Sequence, residues 1–228
     1  MPTVVFISPK GGAGKTTAAL VLACELARGA DVTILDADPN HPIASWASGG
    51  EVPARLQVVS DVDEDNIIDA IERASVETPF VIVDLEGTAA KIVLMAASQA
   101  DLVIIPTQGS QLDAEQAGRA IKAVKDTQKM TGRSTPYVVL MTRTNPVIRT
   151  RTTSHIVNTF ADAGIPALST ELNEREAFRA VFSYRLPLEK LDTAAVSNLD
   201  KAVANAEAFA SEVIATLRGA AAPKMKVA

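Results

Sequence analysis

Short runs of apolar residues alternate along the chain with longer segments in which apolar residues recur every three or four positions. The short runs predict buried β-strands, and the longer segments predict amphipathic α-helices. The predicted strands cover residues 3–8, 31–35, 56–59, 80–83, 102–106, 137–141 and 165–168. The predicted helices cover residues 16–28, 66–75, 91–99, 111–131 and 192–217 (the last as one helix or a pair), and another begins at Arg149 and Arg151. This alternation predicts an α/β fold with a doubly wound, mostly parallel sheet flanked by helices.

Length and composition are consistent with one domain of this class. The chain has 228 residues, of which 47% are hydrophobic and only 4% aromatic, so aliphatic side chains are expected to form the core. We predict a single domain over residues 1–218 and a disordered tail over residues 219–228. The single cysteine, Cys24, excludes an internal disulfide bond and fits a reducing compartment. Because no signal-peptide pattern and no run of about eighteen apolar residues occurs, we expect a cytoplasmic protein without a membrane span.

The first predicted strand leads directly into a glycine-rich loop, and a helix follows the loop. This order is typical of a phosphate-binding loop, in which backbone N–H groups and the helix N-terminus bind phosphate oxygens. Lys15 is expected to contact the β- and γ-phosphates, and the Thr16 hydroxyl is expected to bind Mg²⁺. The usual pattern has glycine where this chain has Pro9, so the match is to the variant K-G-G-x-G-K-T. The predicted nucleotide-binding residues of the loop are Gly11, Gly12, Ala13, Gly14, Lys15, Thr16 and Thr17.

Aspartates stand at the carboxyl ends of two later strands. Asp36 and Asp38 follow the strand at 31–35, and Asp84 follows the strand at 80–83. In an open parallel sheet, the residues that bind ligands gather at the carboxyl ends of the strands. Asp84 matches the Walker B pattern and is expected to hold Mg²⁺ through its water shell. For Asp36 and Asp38, a turn with helix-capping aspartates is the alternative.

The loop that contains Lys10 and Lys15 resembles the deviant Walker A motif of the ParA/MinD superfamily of ATPases. The resemblance covers nearly the whole chain and implies the P-loop NTPase fold, with ATP and Mg²⁺ as cofactors. In that family the early lysine reaches across a dimer interface to the partner's nucleotide. The resemblance gives this role to Lys10, which therefore joins Lys15 among the catalytic candidates.

The resemblance continues at the D-x-D-P element formed by residues 36–39. It implies that Asp38 is catalytic and positions the attacking water, while Asp36 supports the loop and the metal. Thr16, Asp36 and Asp84 are therefore the metal-binding candidates. Residues 85–87 read Leu-Glu-Gly, which departs from the D-T-P-P sequence common in the family, so the role of Glu86 stays open.

The nucleotide base has candidate contacts in the second half of the chain. Family members recognise adenine near the end of the strand predicted at 137–141, which implies contacts from Thr142 and Arg143. A later loop, at residues 185–188, would cover the base and adds Pro187 to the candidates.

Basic residues are concentrated between residues 118 and 151. This segment has eight basic residues and one acidic residue, although the whole chain has a net charge of −5. The acidic total argues against nucleic-acid binding by the whole surface, whereas the local cluster is a candidate for binding DNA phosphates. A solvated helix face is the alternative for the charges on the helix at 111–131. The DNA-binding candidates are Arg119, Lys122 and Lys129 on that helix, Arg133 just after it, and Arg149 and Arg151 further along the chain.

Together these features predict a ParA-type ATPase that forms a homodimer on ATP and binds double-stranded DNA without sequence preference. Slow hydrolysis, stimulated by a ParB-like or relaxosome-type partner, would release the DNA. The protein would act in plasmid or chromosome partition, or in positioning a DNA-transfer complex as in the virulence and conjugation-associated branch. It would associate with the nucleoid or a cell pole when ATP is bound, without membrane insertion.

Two other functions are compatible with the same motifs. The chain could be a MinD-like positioning ATPase that acts on a protein cargo without binding DNA. It could also be a metabolic P-loop enzyme, although no dedicated substrate pocket is evident in the sequence.

Overall fold

The computed structural model of the chain describes residues 1–86 and 90–221. Within them, seven strands form one sheet in which every neighbouring pair runs parallel. Their order across the sheet is β3-β2-β4-β1-β5-β6-β7. The strands are β1 (Thr3–Phe6), β2 (Val32–Ala37), β3 (Leu56–Val59), β4 (Phe80–Leu85), β5 (Leu102–Thr107), β6 (Tyr137–Thr144) and β7 (Leu172–Asn173).

Helices cover both faces of this sheet. Val5 on β1 belongs to the core under α3, α4, α5 and α6, whereas its neighbour Phe6 belongs to the core under α1, α2, α7 and α8. Side chains alternate between the two cores because successive residues of a strand point to opposite faces. The helices are α1 (Lys15–Ala27), α2 (Pro42–Ala47), α3 (Ile67–Glu77), α4 (Ala90–Gln99), α5 (Gln111–Thr131), α6 (Arg151–Asp162), α7 (Glu176–Tyr184) and α8 (Leu199–Ala221). The predicted doubly wound α/β fold is confirmed.

The prediction of a strand at 165–168 is wrong. That segment makes a single β-bridge, between Ala167 and Val139, and the last strand of the sheet is β7. Pro166 has no N–H group to donate, so its neighbours cannot continue a regular ladder beside β6. Only its carbonyl takes part, accepting from the Val139 N–H at 2.9 Å.

The last helix also differs from the prediction at both ends. Residues 192–198 form turns, and α8 begins at Leu199 and reaches Ala221. The first three residues of the predicted tail are therefore helical, and residues 222–228 lie outside the described residues. No helix in the described ranges is both long and apolar enough to cross a membrane.

The strand order determines where the functional residues meet. Strands β2, β4 and β1 are adjacent, so the residues at their carboxyl ends share one edge of the sheet. Asp36 and Asp84 lie within β2 and β4, not after them, and they occupy directly paired positions. The loop that leaves β1 is therefore placed beside two buried carboxylates.

Candidate nucleotide-binding site

Residues 7–14 connect β1 to α1 and include the predicted phosphate-binding loop. Gly12 and Gly14 have φ angles of 78° and 87°, a left-handed conformation that glycine adopts without steric cost. Gly14 is the residue preceding α1, and a Cβ atom there would lie only 3.5 Å from the Cβ of Thr142. The loop sequence thus permits both the sharp turn and its close packing against β6.

The N-terminus of α1 has the properties of an anion site. The first turn contains no acidic residue, and no side chain of the described residues caps it. Its backbone N–H groups and the helix dipole therefore favour a negatively charged ligand. Lys15 is the first residue of α1 and is 7% exposed, so its ammonium group adds a largely buried positive charge at this position.

Lys10 forms an ion pair with Asp113 of the same chain. Its Nζ atom donates a hydrogen bond to Oδ1 of Asp113 at 2.7 Å, and the Asp113 side chain is only 5% exposed. Asp113 lies in the first turn of α5 and also accepts a hydrogen bond from the Ser110 hydroxyl. A second contact joins the same segment to the loop, since Nε2 of Gln108 donates to the Gly12 carbonyl at 2.8 Å.

Asp84 is a buried carboxylate next to the phosphate loop. Neither of its oxygens has a hydrogen-bond partner of good geometry among the described residues. Burial raises the pKa of Asp84 to about 7, against the lowering influence of the Thr16 hydroxyl and the Lys15 ammonium. A fully buried carboxylate without a hydrogen-bond partner is costly unless a cation compensates it.

These residues fit a magnesium ion. Mg²⁺ prefers oxygen ligands, keeps several of its waters, and is usually held by one or two carboxylates together with phosphates. Thr16 and Asp84 would hold it beside the loop, where the ion would neutralise phosphate charge. The candidate metal residues Thr16 and Asp84 are thus brought together by the fold.

Asp36 caps a helix and is paired with Asp84 on the neighbouring strand. Its Oδ2 accepts hydrogen bonds from the N–H groups of Ile43 at 2.9 Å and Ala44 at 2.8 Å, at the start of α2. Its Oδ1 is buried without a hydrogen-bond partner in the described part of the chain. Burial raises the pKa of Asp36, although the hydrogen bonds from Ala44 and Ile43 act in the opposite direction. The helix-capping alternative is therefore observed for Asp36, and its role in supporting the metal stays a prediction.

Asp38 lies in the turn between β2 and α2 and is partly exposed. Its Oδ1 accepts from the backbone N–H of Asn40 at 2.9 Å and from the Asn40 side-chain amide at 3.0 Å. The Asp38 carbonyl also accepts from the N–H of His41. These contacts hold Asp38 at the same edge of the sheet as the phosphate loop.

A cavity of about 320 Å³ opens next to the phosphate loop. Thr142 closes one side of it and donates a hydrogen bond from its hydroxyl to the Ala13 carbonyl at 2.8 Å. The aromatic rings of Phe178 and Phe182, four residues apart on α7, give the cavity apolar walls suited to a flat base. The residues lining the cavity are Gly14, Thr17, Thr142, Arg143, Leu172, Asn173, Glu174, Arg175, Phe178, Arg179 and Phe182.

Pro187 is not among the residues that line this cavity, and its contact with the base stays a prediction. After α7, Arg185 adopts a left-handed conformation with φ of 54°, and Leu188 is then buried in the core on the α1 side of the sheet. The segment that contains Leu188 packs against α7 and α8. Residues of β7 and α7, for which the sequence predicted no contact with the base, also line the cavity. The spacing of Phe178 and Phe182 was the available signal.

The basic candidates fall into two groups. On α5, Lys122 and Lys129 pair with Asp126 at 2.8 and 3.5 Å, and just beyond the helix Arg133 pairs with Asp101 at 2.7 Å. Arg119 is exposed on the same helix.

The second group lies where β6 leads into α6. Arg149 pairs with Glu171, and Arg151 is exposed at the first position of α6. Arg143, in the same segment, is exposed and lines the cavity. This group is therefore continuous with the candidate nucleotide site, whereas the α5 group is not.

Comparison with known proteins identifies the family. The sequence model of the VirC1 protein family matches residues 1–218. The chain belongs to the VirC1 family, within the ParA/MinD superfamily of ATPases. A protein named Protein ParA from Rhizobium radiobacter is 38% identical over 218 residues, which is 95% of this chain and 98% of that relative. The predicted superfamily is thus confirmed.

Positioning proteins of the same superfamily are also similar to this chain. Maintenance of carboxysome distribution protein A from Halothiobacillus neapolitanus is 26% identical over 179 residues, which is 78% of this chain and 82% of the relative. The solved ATP complex of a McdA variant from Cyanothece has a TM-score of 0.69 and 16% identity, over 93% of this chain and 96% of that one. The structural likeness shows that the fold is shared.

Replacing Lys15 by alanine tests the phosphate loop. Lys15→Ala removes the buried cation at the N-terminus of α1, so ATP affinity should fall by about two orders of magnitude, as expected for a charge-assisted contact. Isothermal titration with Mg²⁺–ATP measures it, with Lys201→Ala, on the exposed surface of α8, as the matched control. Unchanged ATP affinity in Lys15→Ala would contradict the assignment.

Replacing Asp84 by asparagine tests the buried charge. Because the folded-state pKa of Asp84 is raised from 3.8 to about 7, its contribution to stability is greatest at low pH and declines as the pH rises through this interval. In EDTA without nucleotide, Asp84→Asn should therefore melt a few degrees above the unmodified protein at pH 8, and the gap should shrink at pH 5.

The Asp84→Asn comparison uses Asp162→Asn, at an exposed position, as the matched control. Differential scanning calorimetry at both pH values gives the result. A gap that is the same at pH 5 and pH 8, or an Asp84→Asn protein that is less stable at pH 8, would contradict the assignment.

Proposed function

We propose that this chain is an ATP-dependent switch that binds ATP with Mg²⁺, forms a homodimer in the ATP state, and then binds DNA without sequence preference. The observation that carries the proposal is the continuity of the β6–α6 segment. It contributes Arg143 to the wall of the nucleotide cavity and ends in Arg149 and Arg151. A change in the bound nucleotide that moves the cavity wall would therefore also move basic residues of the same segment.

A second connection supports the same proposal. Gly109, in the segment that contacts the phosphate loop through Gln108, packs so closely on Thr153 of α6 that any side chain at position 109 would collide with it. The start of α6 is thus packed directly against the segment that carries the Lys10–Asp113 ion pair. Movement of that segment would therefore displace the N-terminus of α6, where Arg151 lies.

Exposed apolar residues near the site support dimerisation. Leu112, next to Asp113, is 68% exposed, and Val147 and Ile148 in the β6–α6 loop are 87% and 64% exposed. The amide oxygen of Asn145 accepts from the N–H groups of Val147 and Ile148, both at 2.9 Å, and this holds the loop in one shape. Bulky apolar side chains on an ordered loop are typical of surfaces that become buried in a complex.

In the proposed cycle, Lys15 and the loop bind the phosphates, and Lys10 leaves Asp113 for the partner's nucleotide. Asp38 would position the attacking water, since phosphoryl transfer depends on positioning and charge stabilisation. Hydrolysis is proposed to be slow and stimulated by a ParB-like or relaxosome-type partner. The protein would act in the cytoplasm, in partition or in DNA-transfer positioning.

A second candidate function is positioning of a protein cargo without DNA. The similarity to carboxysome distribution proteins favours it, as does the pairing of two α5 cations, and of Arg133 just beyond the helix, with acidic neighbours. On this view, the basic residues of α5 are a solvated helix face.

Replacing Asp38 by alanine separates binding from hydrolysis. Asp38→Ala should keep ATP affinity within about threefold, because its contacts are to Asn40 and not to the phosphate loop. Phosphate release should fall at least about tenfold, as when a positioning group is lost, and the ATP-bound dimer should accumulate. Analytical ultracentrifugation and a phosphate-release assay measure both, with Asp162→Ala as the control. Unchanged turnover would remove Asp38 from the mechanism.

Charge reversal locates the DNA surface. The double variant Arg149→Glu with Arg151→Glu should weaken DNA binding and reduce the slope of log affinity against log salt by about two, one for each lost phosphate contact. Lys122→Glu with Lys129→Glu is the matched control on α5. Fluorescence anisotropy with a random-sequence duplex, at several salt concentrations, measures both variants, and ATP-dependent dimerisation is followed in parallel. Weakening by the α5 pair alone would move the surface to α5.

A further inference from the structure

The wall of the nucleotide cavity contributed by β7 has little support from the sheet. Strand β7 has two residues, and its register against β6 shifts between Thr142 and Thr144. The segment from Ser169 to Asn173 nonetheless leads into the wall of the cavity, which includes Leu172 and Asn173. Something other than a regular strand ladder must hold this edge.

Asn205 on α8 supplies hydrogen bonds that a neighbouring strand would otherwise make. Its Oδ1 accepts from the backbone N–H of Asn173 at 3.0 Å, and its Nδ2 donates to the Glu171 carbonyl at 2.8 Å. One amide side chain thus satisfies a backbone donor and a backbone acceptor on the outer edge of β7. Both groups belong to the segment that continues into the cavity wall.

Glu212, two turns further along α8, fixes the preceding part of the same segment. Its carboxylate accepts from the N–H groups of Ser169 and Thr170, both at 2.7 Å, and from the Ser169 hydroxyl at 2.7 Å. Charged acceptors make stronger hydrogen bonds than neutral ones. The segment 169–173 is therefore fastened to α8 at both ends.

Asn205 and the residues that face the base are connected through Asn173. The Asn173 side chain donates to the Thr144 hydroxyl at 3.0 Å and accepts from the Arg175 guanidinium at 3.2 Å. Asn173 and Arg175 both line the cavity. A shift of the Asn173 backbone would therefore move the polar groups that face the base.

The same helix is tied to the helix that carries the phosphate loop. Glu207 on α8 accepts from Arg28, which directly follows α1, at 2.6 Å, and side chains of α1 and α8 share one core. Helix α8 thus contacts both the base wall and the element that begins at Lys15. It is placed to set the distance between base and phosphates.

We propose that Asn205 is a positioning residue for nucleotide recognition: it holds the β7 wall at the distance from the phosphate loop that lets one nucleotide fill both parts of the site. The inference rests on the proposed binding of ATP. It assigns Asn205 to the part of the affinity that comes from the base and not to the part that comes from the phosphates.

The test compares Mg²⁺–ATP with Mg²⁺–inorganic triphosphate, which lacks base and ribose. For Asn205→Ala, the dissociation constant for ATP should rise about tenfold, as expected when two hydrogen bonds that hold the wall are lost. The dissociation constant for triphosphate should change less than about twofold. Isothermal titration measures both constants, and circular dichroism with thermal melting establishes that the variant is folded.

Two further variants on α8 keep the result interpretable. Glu207→Gln weakens only an exposed ion pair with Arg28. It leaves the shared core of α1 and α8 and the hydrogen bonds of Asn205 in place, so the ratio of the two dissociation constants should stay at the unmodified value. Glu212→Gln replaces one of two accepting oxygens by a donor and should shift the ratio in the same direction as Asn205→Ala. Glu212→Gln therefore replaces Asn205→Ala as the test variant if Asn205→Ala does not fold.

The outcomes separate the two claims. Equal loss of ATP and triphosphate affinity in Asn205→Ala and Glu212→Gln, or no loss of either, would overturn the role of Asn205 while leaving ATP binding intact. An unmodified protein that binds no ATP would overturn the proposed function itself. A shifted ratio in both variants, with Glu207→Gln unchanged, supports the inference.

Discussion

Two carboxylates buried side by side at the carboxyl edge of a parallel sheet are the constraint on which the site depends. Asp36 and Asp84 occupy paired positions on β2 and β4, and both are fully buried. Negative charge in such a place requires hydrogen bonds or a cation. Asp36 obtains hydrogen bonds by capping α2, while Asp84 is left beside Lys15 and Thr16, where a magnesium ion and phosphates would complete it. The loop, the strand order and the burial thus define one site.

The residues around this centre are arranged to respond to what it binds. Lys10 is held by Asp113, and Gln108 of the same segment is joined to Gly12 of the phosphate loop. The segment in turn packs on α6 through Gly109. A ligand that changed the position of the loop would therefore act on α5 and α6 together, because closely packed elements move as units.

The fold and the centre of the site could be predicted from the sequence because their signals are local. Apolar runs indicated most of the strands, and the glycine loop and strand-end aspartates lie within a few residues of the elements that position them. The prediction of a strand at 165–168 was wrong because Pro166 has no N–H group to donate to the strand ladder. The Lys10–Asp113 pair joins residues 103 positions apart, and Asn205 meets Asn173 across 32 positions, so no local pattern shows either contact.

The most direct test of the account is DNA binding by the Asp38→Ala protein, measured with Mg²⁺–ATP, with Mg²⁺–ADP and without nucleotide across a salt series. We expect tight binding with ATP alone and an affinity that falls steeply as salt rises, because each neutralised phosphate releases counterions. Equal binding in all three states, or no binding by a protein that dimerises on ATP, would contradict it.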